Sequence, residues 1–324
     1  MDLIRIGIVG YGNVAKGVEK AVAASPDMEL RAVFTRRDPS SLRLIEAATP
    51  VFSVSNAVDM TDKIDVMVLC GGSATDLKSQ GPHFAALFNI VDSFDTHALI
   101  PEYMAAIDAV AIKTTAIISS GWDPGLFSLF RLLSNTVLPD GESYTFWGRG
   151  VSQGHSDALR HISGVKNAVQ YTVPLDSAIE SARSGDRPVF EARQKHKRDC
   201  YIVVYPDADK VLIEKEIKNM PYYFADYDTT IYFIDDEEFQ IKHSEMPHGG
   251  MVLHSGNTGD NKHMMEFSLK LDSNPEFTGS ILAAYARAAY RLSRAGVYGV
   301  KTVFDVPISY LSAIERSKII KEFL

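Results

Sequence analysis

The chain has 324 residues, of which 46% are hydrophobic and 23% charged, and its net charge is −8. That length calls for two packed domains rather than one core. The acidic balance argues against a nucleic-acid surface, the two cysteines make neither a disulfide framework nor a metal-ligand spacing, and no apolar run approaches the ~20 residues needed to cross a bilayer. Met1-Asp2-Leu3-Ile4-Arg5 runs into a strand without a charged-then-apolar leader, so the expectation is a cytoplasmic protein with no membrane and no nucleic-acid partner. Ile4 to Val9 reads as a buried strand and Val14 to Ala24 as a helix. Leu30 to Phe34 and Ile64 to Leu69 are the next strands; a helix ends at Phe84 to Phe88, and Ile90-Val91 begins a fourth strand. Pro101 to Ala111 is helical and Ala116 to Ser119 a fifth strand. Strand and helix alternate over about 120 residues, the pattern of a doubly wound parallel sheet, a Rossmann-like α/β fold.

After Gly121 the pattern changes. Tyr144 to Trp147, Ala168 to Val173, Tyr201 to Tyr205, Thr229 to Ile234 and Gly250 to His254 are strand-like, with helices at Ala178 to Ser184 and Val211 to Met220. The expectation is a dinucleotide-binding domain over 1–120 and a more antiparallel α+β domain for substrate and dimerisation over 121–279. The amphipathic helix Phe277 to Ala295, ended by Gly296, and the remainder of 280–324 are expected to return to the first domain.

Gly10-Tyr11-Gly12-Asn13-Val14-Ala15 fits G-x-G-x-x-G/A directly between a strand and a helix. Gly10 serves the tight turn, Gly12 lets the backbone approach a pyrophosphate, and Ala15 allows close helix–strand packing. The helix N-terminus offers free N–H groups to the phosphates. The second strand ends Phe34-Thr35-Arg36-Arg37, not in the carboxylate that binds a ribose 2′-hydroxyl. A hydroxyl and two guanidiniums suit a 2′-phosphate, so the cofactor expected is NADP, with Asp38 one step further along as a complication. The small residues Gly72-Ser73-Ala74-Thr75 end the third strand where the cofactor crosses the sheet edge.

Asp95 and Asp123 follow the later strands, at the carboxyl ends where ligands of doubly wound sheets sit, and suit a cationic substrate group such as an ammonium; either could instead cap a helix. Gly150-Val151-Ser152-Gln153-Gly154 also fits the G-x-S-x-G nucleophile elbow. It sits where the strand–helix alternation stops, and a hydrolase would leave the nucleotide fingerprint unexplained. His243, His248, His254 and His263 are loosely spaced, with no H-E-x-x-H, so no metal site is expected.

At these residues the chain resembles the meso-diaminopimelate dehydrogenase family. The resemblance spans essentially the whole sequence, and is carried by Ile8 to Asn13, Gly72 to Asp76, Gly121 to Gly125, Thr145 to Gly148, Val151 to Ala158, Ala168 to Thr172, Met246 to Gly250, Asn274-Pro275 and Phe277-Thr278. The stretch from Trp147 to Ala158 is specific to this family. It implies NADP-dependent, reversible oxidative deamination at the D-centre of meso-2,6-diaminopimelate, giving L-2-amino-6-oxopimelate (largely cyclic tetrahydrodipicolinate) and ammonia, and feeding lysine and peptidoglycan synthesis in reverse. By resemblance, Asp95 and Asp123 hold the reacting amino group, and Trp147, Gln153 and Gly154 shape the pocket over it. Thr172, Arg198, His248 and Asn274 bind the distal L-centre, Arg198 taking its carboxylate. The nucleotide contacts Gly10, Tyr11, Gly12, Asn13 and Val14; Thr35, Arg36 and Arg37; Gly72, Ser73, Ala74 and Thr75; Ser93, Phe94 and Asp95; and Trp122, Asp123, Pro124 and Gly125.

Arg198 lies in the charge run Lys195-His196-Lys197-Arg198-Asp199, where Lys197 and Arg193 are neighbouring alternatives for the carboxylate. Which of Asp95 and Asp123 moves the proton stays open. A homodimer is also implied, although intramolecular packing explains the apolar face of 277–295 equally well. The alternatives are a broad-specificity NADP-dependent D-amino-acid dehydrogenase and a non-catalytic NADPH-binding sensor.

Overall fold

The computed structural model describes residues 3–221 and 223–324. In chain order the elements are β1 (Ile4–Val9), α1 (Asn13–Ala23), β2 (Met28–Thr35), β3 (Val51–Ser53), β4 (Val66–Leu69), α2 (Lys78–Ala85), β5 (Asn89–Asp92), α3 (Ile100–Asp108), β6 (Thr115–Ile117) and α4 (Leu126–Val137). They continue with β7 (Gly141–Trp147), β8 (Gly150–Val151), α5 (Gln153–Arg160), β9 (Val165–Pro174), α6 (Asp176–Arg183), α7 (Ala192–Lys195), β10 (His196–Val204), α8 (Lys210–Lys218), β11 (Asp228–Phe233), α9 (Asp236–His243), β12 (His248–Thr258) and β13 (Asn261–Leu271). The last are α10 (Asn274–Arg294), β14 (Gly299–Lys301) and α11 (Arg316–Phe323). Residues 1–129 with 275–324 form one compact unit and residues 130–274 a second.

The first unit holds a seven-stranded sheet in the order β14-β6-β5-β4-β1-β2-β3. Every pairing in it is parallel. Strands buried on both faces need continuous apolar runs, and Ile6, Ile8, Val33, Met67, Val68, Ile90, Val91 and Ile117 are all fully buried. The order reverses between β1 and β4, the switch point where such sheets take ligands. Two strands escaped the sequence reading, β3 and β14, each only three residues long and too short to show periodicity. The long helix expected over 277–295 runs over Asn274–Arg294, and Gly296 follows in the left-handed region (φ +74). Its start lies against α1: a Cβ on Gly17 would stand 2.7 Å from Glu276 Cα, so the close approach needs glycine there. Further along, Arg287 donates twice to the Asp27 carboxylate at 2.7 Å, which holds that carboxyl below its usual range.

The second unit carries two sheets, one ordered β11-β10-β9-β8 and the other β13-β12-β7. β9 pairs antiparallel with both β10 and β8, while β10 and β11 run parallel. Period two sorts the β9–β10 residues onto opposite faces. One face packs Ala168, Cys200 and Ile202 with Leu159 of α5 and Ile213 and Ile217 of α8. The other packs Val169, Tyr171 and Val203 with Phe239 of α9. β13 also lay outside the sequence reading, because most of its residues are exposed and its apolar alternation is weak.

Candidate active site

The nucleotide turn sits at the switch point. Gly10 follows β1 at φ +83, a conformation that glycine adopts without steric cost. A Cβ there would approach Cys70 of the β4 turn at 3.5 Å, and one on Gly12 would meet nothing within 4 Å. The backbone beside Gly12 is therefore open, and α1 begins directly after it, so the helix N-terminus can receive a pyrophosphate. Thr35 is buried, and its hydroxyl accepts the N–H of Arg37 at 3.1 Å. Arg37 Nη2 donates to the Tyr11 carbonyl at 2.6 Å, and Arg36 pairs with Asp76 Oδ1 at 2.7 Å. Arg37 thus stands beside the turn and Arg36 beside the segment after β4, both with charge of the sign a 2′-phosphate needs. Asp38, one residue on, points its carboxylate at the Ser40 N–H and hydroxyl, which hold it below the usual range. The Tyr11 hydroxyl donates to the buried Glu19, which also accepts the Glu46 N–H at 2.6 Å, tying the turn to the loop after β2. Glu19 escaped the sequence reading because a single acid on an amphipathic helix reads as solvated.

Asp95 ends the loop after β5, where its N–H donates to Ser73 Oγ at 3.1 Å. The β5 loop and the Gly72–Thr75 turn are therefore joined. Asp123 lies on the turn after β6, closed by the Leu126 N–H on the Gly121 carbonyl (3.2 Å) and the Phe127 N–H on the Trp122 carbonyl (2.8 Å). Trp122 packs edge-on against Phe127 at 5.1 Å. Gly125 sits at φ +137 beside Gly121, with no room for a side chain.

In the second unit Arg198 of β10 stands opposite Thr172 of β9, which stands opposite Gly150 of β8. Arg198 is 7% exposed. Its Nη1 donates to Thr172 Oγ1, and its guanidinium lies 3.9 Å above the Tyr227 ring. Its Nε has no hydrogen-bond partner, nor have the neighbouring Gln170 Oε1 and Thr229 Oγ1. No carboxylate pairs with Arg198 among the described residues, and desolvation lowers its pKa. The alternatives face elsewhere: Lys197 pairs with Asp199 at 3.5 Å, and Arg193 reaches the Ala225 carbonyl. His248 fills the space a side chain on Gly150 would take, with the ideal Cβ only 2.5 Å from its Cγ. Thr172, Arg198 and His248 are thereby grouped around one sheet row. Gln153 Nε2 contacts Met246 Sδ at 3.3 Å, and the Asn274 N–H donates to the Met246 carbonyl at 3.0 Å. A Cβ on Gly154 would meet nothing within 4 Å.

Trp147 stacks on His196 (5.5 Å, 27°), and its backbone N–H donates to His196 Nε2 at 2.9 Å. That bond requires an unprotonated Nε2. Burial first, then the charges of Lys195 and Arg198, bring the His196 pKa down to about 3. His155 packs edge-on to Tyr223 and Phe224, and burial with the Arg198 charge brings it to about 4. His155 and Met246 lie in segments that carry the family resemblance and His196 in the charge run, but the sequence assigns no individual role to them or to Tyr227. The reason is that Tyr223 and Phe224 beside His155, Trp147 on His196, Arg198 on Tyr227 and Gln153 at Met246 are all distant along the chain.

The G-x-S-x-G segment forms the two-residue edge strand β8 and the first turn of α5, antiparallel to β9. Ser152 Oγ and His155 Nδ1 are 2.7 Å apart, a contact three residues along the chain at a helix start. The parallel strand–turn–helix setting of a nucleophile elbow is missing here. His254 is buried with Ser143 on Nδ1 and the Leu138 carbonyl on Nε2.

Residues 121–273 match the model for the diaminopimelic acid dehydrogenase C-terminal domain. The chain is 58% identical over 317 residues to the meso-diaminopimelate D-dehydrogenase of Acetivibrio thermocellus, covering 96% of this chain and 95% of that one. It is 57% identical to the enzyme of the same name from Lysinibacillus sphaericus over 100% of both. The diaminopimelate dehydrogenase of C. glutamicum, solved in complex with diaminopimelate, superposes with a TM-score of 0.92 at 43% identity, covering 100% of both chains. An engineered D-amino acid dehydrogenase bound to NADP+ superposes at 0.87 with 42% identity, covering 99% of this chain and 100% of that one.

Proposed function

The chain belongs to the meso-diaminopimelate D-dehydrogenase family, and from that premise we propose the part each site residue plays. The enzyme catalyses the NADP-dependent, reversible oxidative deamination of meso-2,6-diaminopimelate at its D-centre, a step of lysine biosynthesis. The observation that carries the site assignment is Arg198, a buried guanidinium whose Nε is unpaired and which has no carboxylate partner among the described residues. An ion held out of water needs a partner, or its desolvation is not offset. A substrate with two carboxylates supplies one, and an arginine fork takes it bidentately, which also fixes orientation.

Arg198, Thr172, His248 and Asn274 bind the distal L-centre, with the Arg198 fork on its carboxylate. Asp95 and Asp123 receive the ammonium of the D-centre. Trp147, Gln153 and Gly154 shape the wall over it. Gly10–Val14, Thr35–Arg37, Gly72–Thr75, Ser93–Asp95 and Trp122–Gly125 line the cofactor, Arg36 and Arg37 taking the 2′-phosphate. When bound, NADP+ supplies the acceptor for the hydride that leaves the D-centre Cα. The Asp95/Asp123 pair takes the ammonium proton as the carbon–nitrogen bond becomes an imine, then orients the water that adds to that carbon and releases ammonia. Gripping both substrate ends presents a single face of the D-centre, which sets the stereochemistry. The active species is a homodimer formed through the second unit, and it works in the cytoplasm; size-exclusion chromatography with light scattering tests the first, and fractionation the second.

The deciding experiment is NADPH formation at alkaline pH with meso-diaminopimelate, beside its LL isomer, D-lysine and D-alanine, with NAD+ as the control cofactor. Meso-selective turnover with NADP+ supports the two-ended site. Comparable rates on simple D-amino acids would discard Arg198 as the distal anchor, and NADPH binding without turnover would leave a sensor.

A further inference from the structure

We propose that Asp92 is a positioning residue that locks the loops carrying Asp95 and Asp123 to one another. The proposal rests on the reading that those two carboxylates act at the reacting centre. Asp92 is the last residue of β5 and 0% exposed, so unlike Asp95 it cannot touch a substrate. β5 and β6 are parallel neighbours, so the loops after them leave the same edge of the sheet. One oxygen of Asp92 bridges both loops: Oδ1 accepts the Phe94 N–H at 2.9 Å and the Ser119 N–H at 3.0 Å. Oδ2 accepts the Tyr103 hydroxyl at 2.6 Å. The Asp92 carbonyl adds two more ties to the second loop, from the Ser120 N–H and the Ser120 hydroxyl, both at 2.9 Å.

The surroundings are built to keep this carboxylate in place. Ser119 is a non-glycine residue at φ +53, a conformation that needs support from outside its own backbone. The Asp92 oxygen on its N–H supplies that support, one residue pair before Gly121-Trp122-Asp123. Tyr103 stacks on Phe94 (4.2 Å, 18°), so the same ring holds both the carboxylate and the first loop. The ring fits only because Gly81 of α2 has no side chain: a Cβ there would stand 2.6 Å from Tyr103 Cε2. Asp95 is in turn tied to Ser73 of the β4 turn. Three loops are thus connected through Asp92 and Ser73, and among the described residues no cation pairs with Asp92. Burial pushes the Asp92 pKa up, and the three donated hydrogen bonds oppose it, so the carboxylate form depends on the donors this network supplies.

The test uses Asp92→Asn and Tyr103→Phe in the full chain, with turnover of meso-diaminopimelate counted per NADPH-binding site and NADPH affinity measured by fluorescence titration. Asp92→Asn keeps the size but turns an acceptor into a donor. It should lower turnover per site by about tenfold or more, because small misplacements of reacting groups are that costly. NADPH affinity should change by less than about threefold, and Tyr103→Phe should show a smaller loss in the same direction. The double variant should be no worse than Asp92→Asn alone, since both act through one network. A residue that only stabilises the fold would reduce the fraction of protein binding NADPH and leave turnover per site unchanged; that outcome overturns the proposal. If Asp92→Asn does not fold, Tyr103→Phe and Ser120→Ala are judged by the same split. Asp95→Asn and Asp123→Asn run alongside. Full turnover in both removes the reading on which the proposal rests, whereas their inactivity beside a fully active Asp92→Asn sinks the proposal alone.

Discussion

Asp92 of the first unit and Arg198 of the second are both buried with no opposite charge paired to them among the described residues, and the two are treated in opposite ways. In the first, Asp92 receives three hydrogen bonds from its own chain, filling both oxygens. In the second, Arg198 has only the neutral side chains of Thr172 and Tyr227 as partners among the described residues, and its Nε stays unpaired. A buried charge whose partners are all internal belongs to the architecture, since nothing remains with which to bind. A buried charge left short of partners is a receptor for the opposite charge. Burial alone does not separate the two; the count of satisfied donors and acceptors does.

The largest effect is expected where the chemistry is. Asp123→Asn should lower turnover by roughly 10²–10⁴-fold, the range for a general acid–base group, and leave NADPH affinity nearly intact. Near-normal turnover would remove Asp123 from the mechanism. Arg198→Met sharpens the comparison directly. The Km for meso-diaminopimelate should rise ~30-fold or more, reflecting about 2–5 kcal/mol for a buried charge pair. The unliganded protein should be as stable as before or more so, because an unfilled buried charge is replaced by a packed apolar chain. Asp92→Asn should instead lower the melting temperature. A matching loss in both variants would erase the distinction.

Histidines beside Arg198 give a third test. The His196 pKa is depressed to about 3 and the His155 pKa to about 4, against about 6.5 in an unfolded chain. Below pH ~6.5 the unfolded state takes up protons that the folded state refuses, so stability is full above that pH. It falls below that pH with a slope approaching about 1.4 kcal/mol per pH unit for each histidine, down to about pH 4 for His155 and about pH 3 for His196. Urea midpoints between pH 7 and pH 4 should show this slope, and His196→Phe should make it shallower. An unchanged slope would mean that His196 is protonated in the fold. The smallest effect is expected at the exposed charge: Arg36→Ala should reduce the preference for NADP+ over NAD+ by about three- to tenfold in kcat/Km.

The nucleotide turn was legible because its chemistry is local: Gly10, Gly12 and Ala15 lie within six residues, and a strand and a helix flank them. The parallel sheet was legible for a similar reason, since strands buried on both faces must be uniformly apolar. Asp92 and Asp95 were indistinguishable as letters, two acids in Val91-Asp92-Ser93-Phe94-Asp95. Only the fold separates them, because two of the three partners of the Asp92 carboxylate lie 11 residues away at Tyr103 and 27 away at Ser119. The charge run around Arg198 is similar. Strand periodicity alone puts Arg198 and Asp199 on opposite faces, but which face carries Thr172 depends on the register of β9. Composition, periodicity and motif spacing thus determined the α/β class, the cofactor turn and the set of charged candidates, all properties of neighbouring residues. Which charges are sealed into the architecture and which are left open to a ligand was decided by tertiary structure, because satisfaction of a buried charge is a property of groups far apart along the chain.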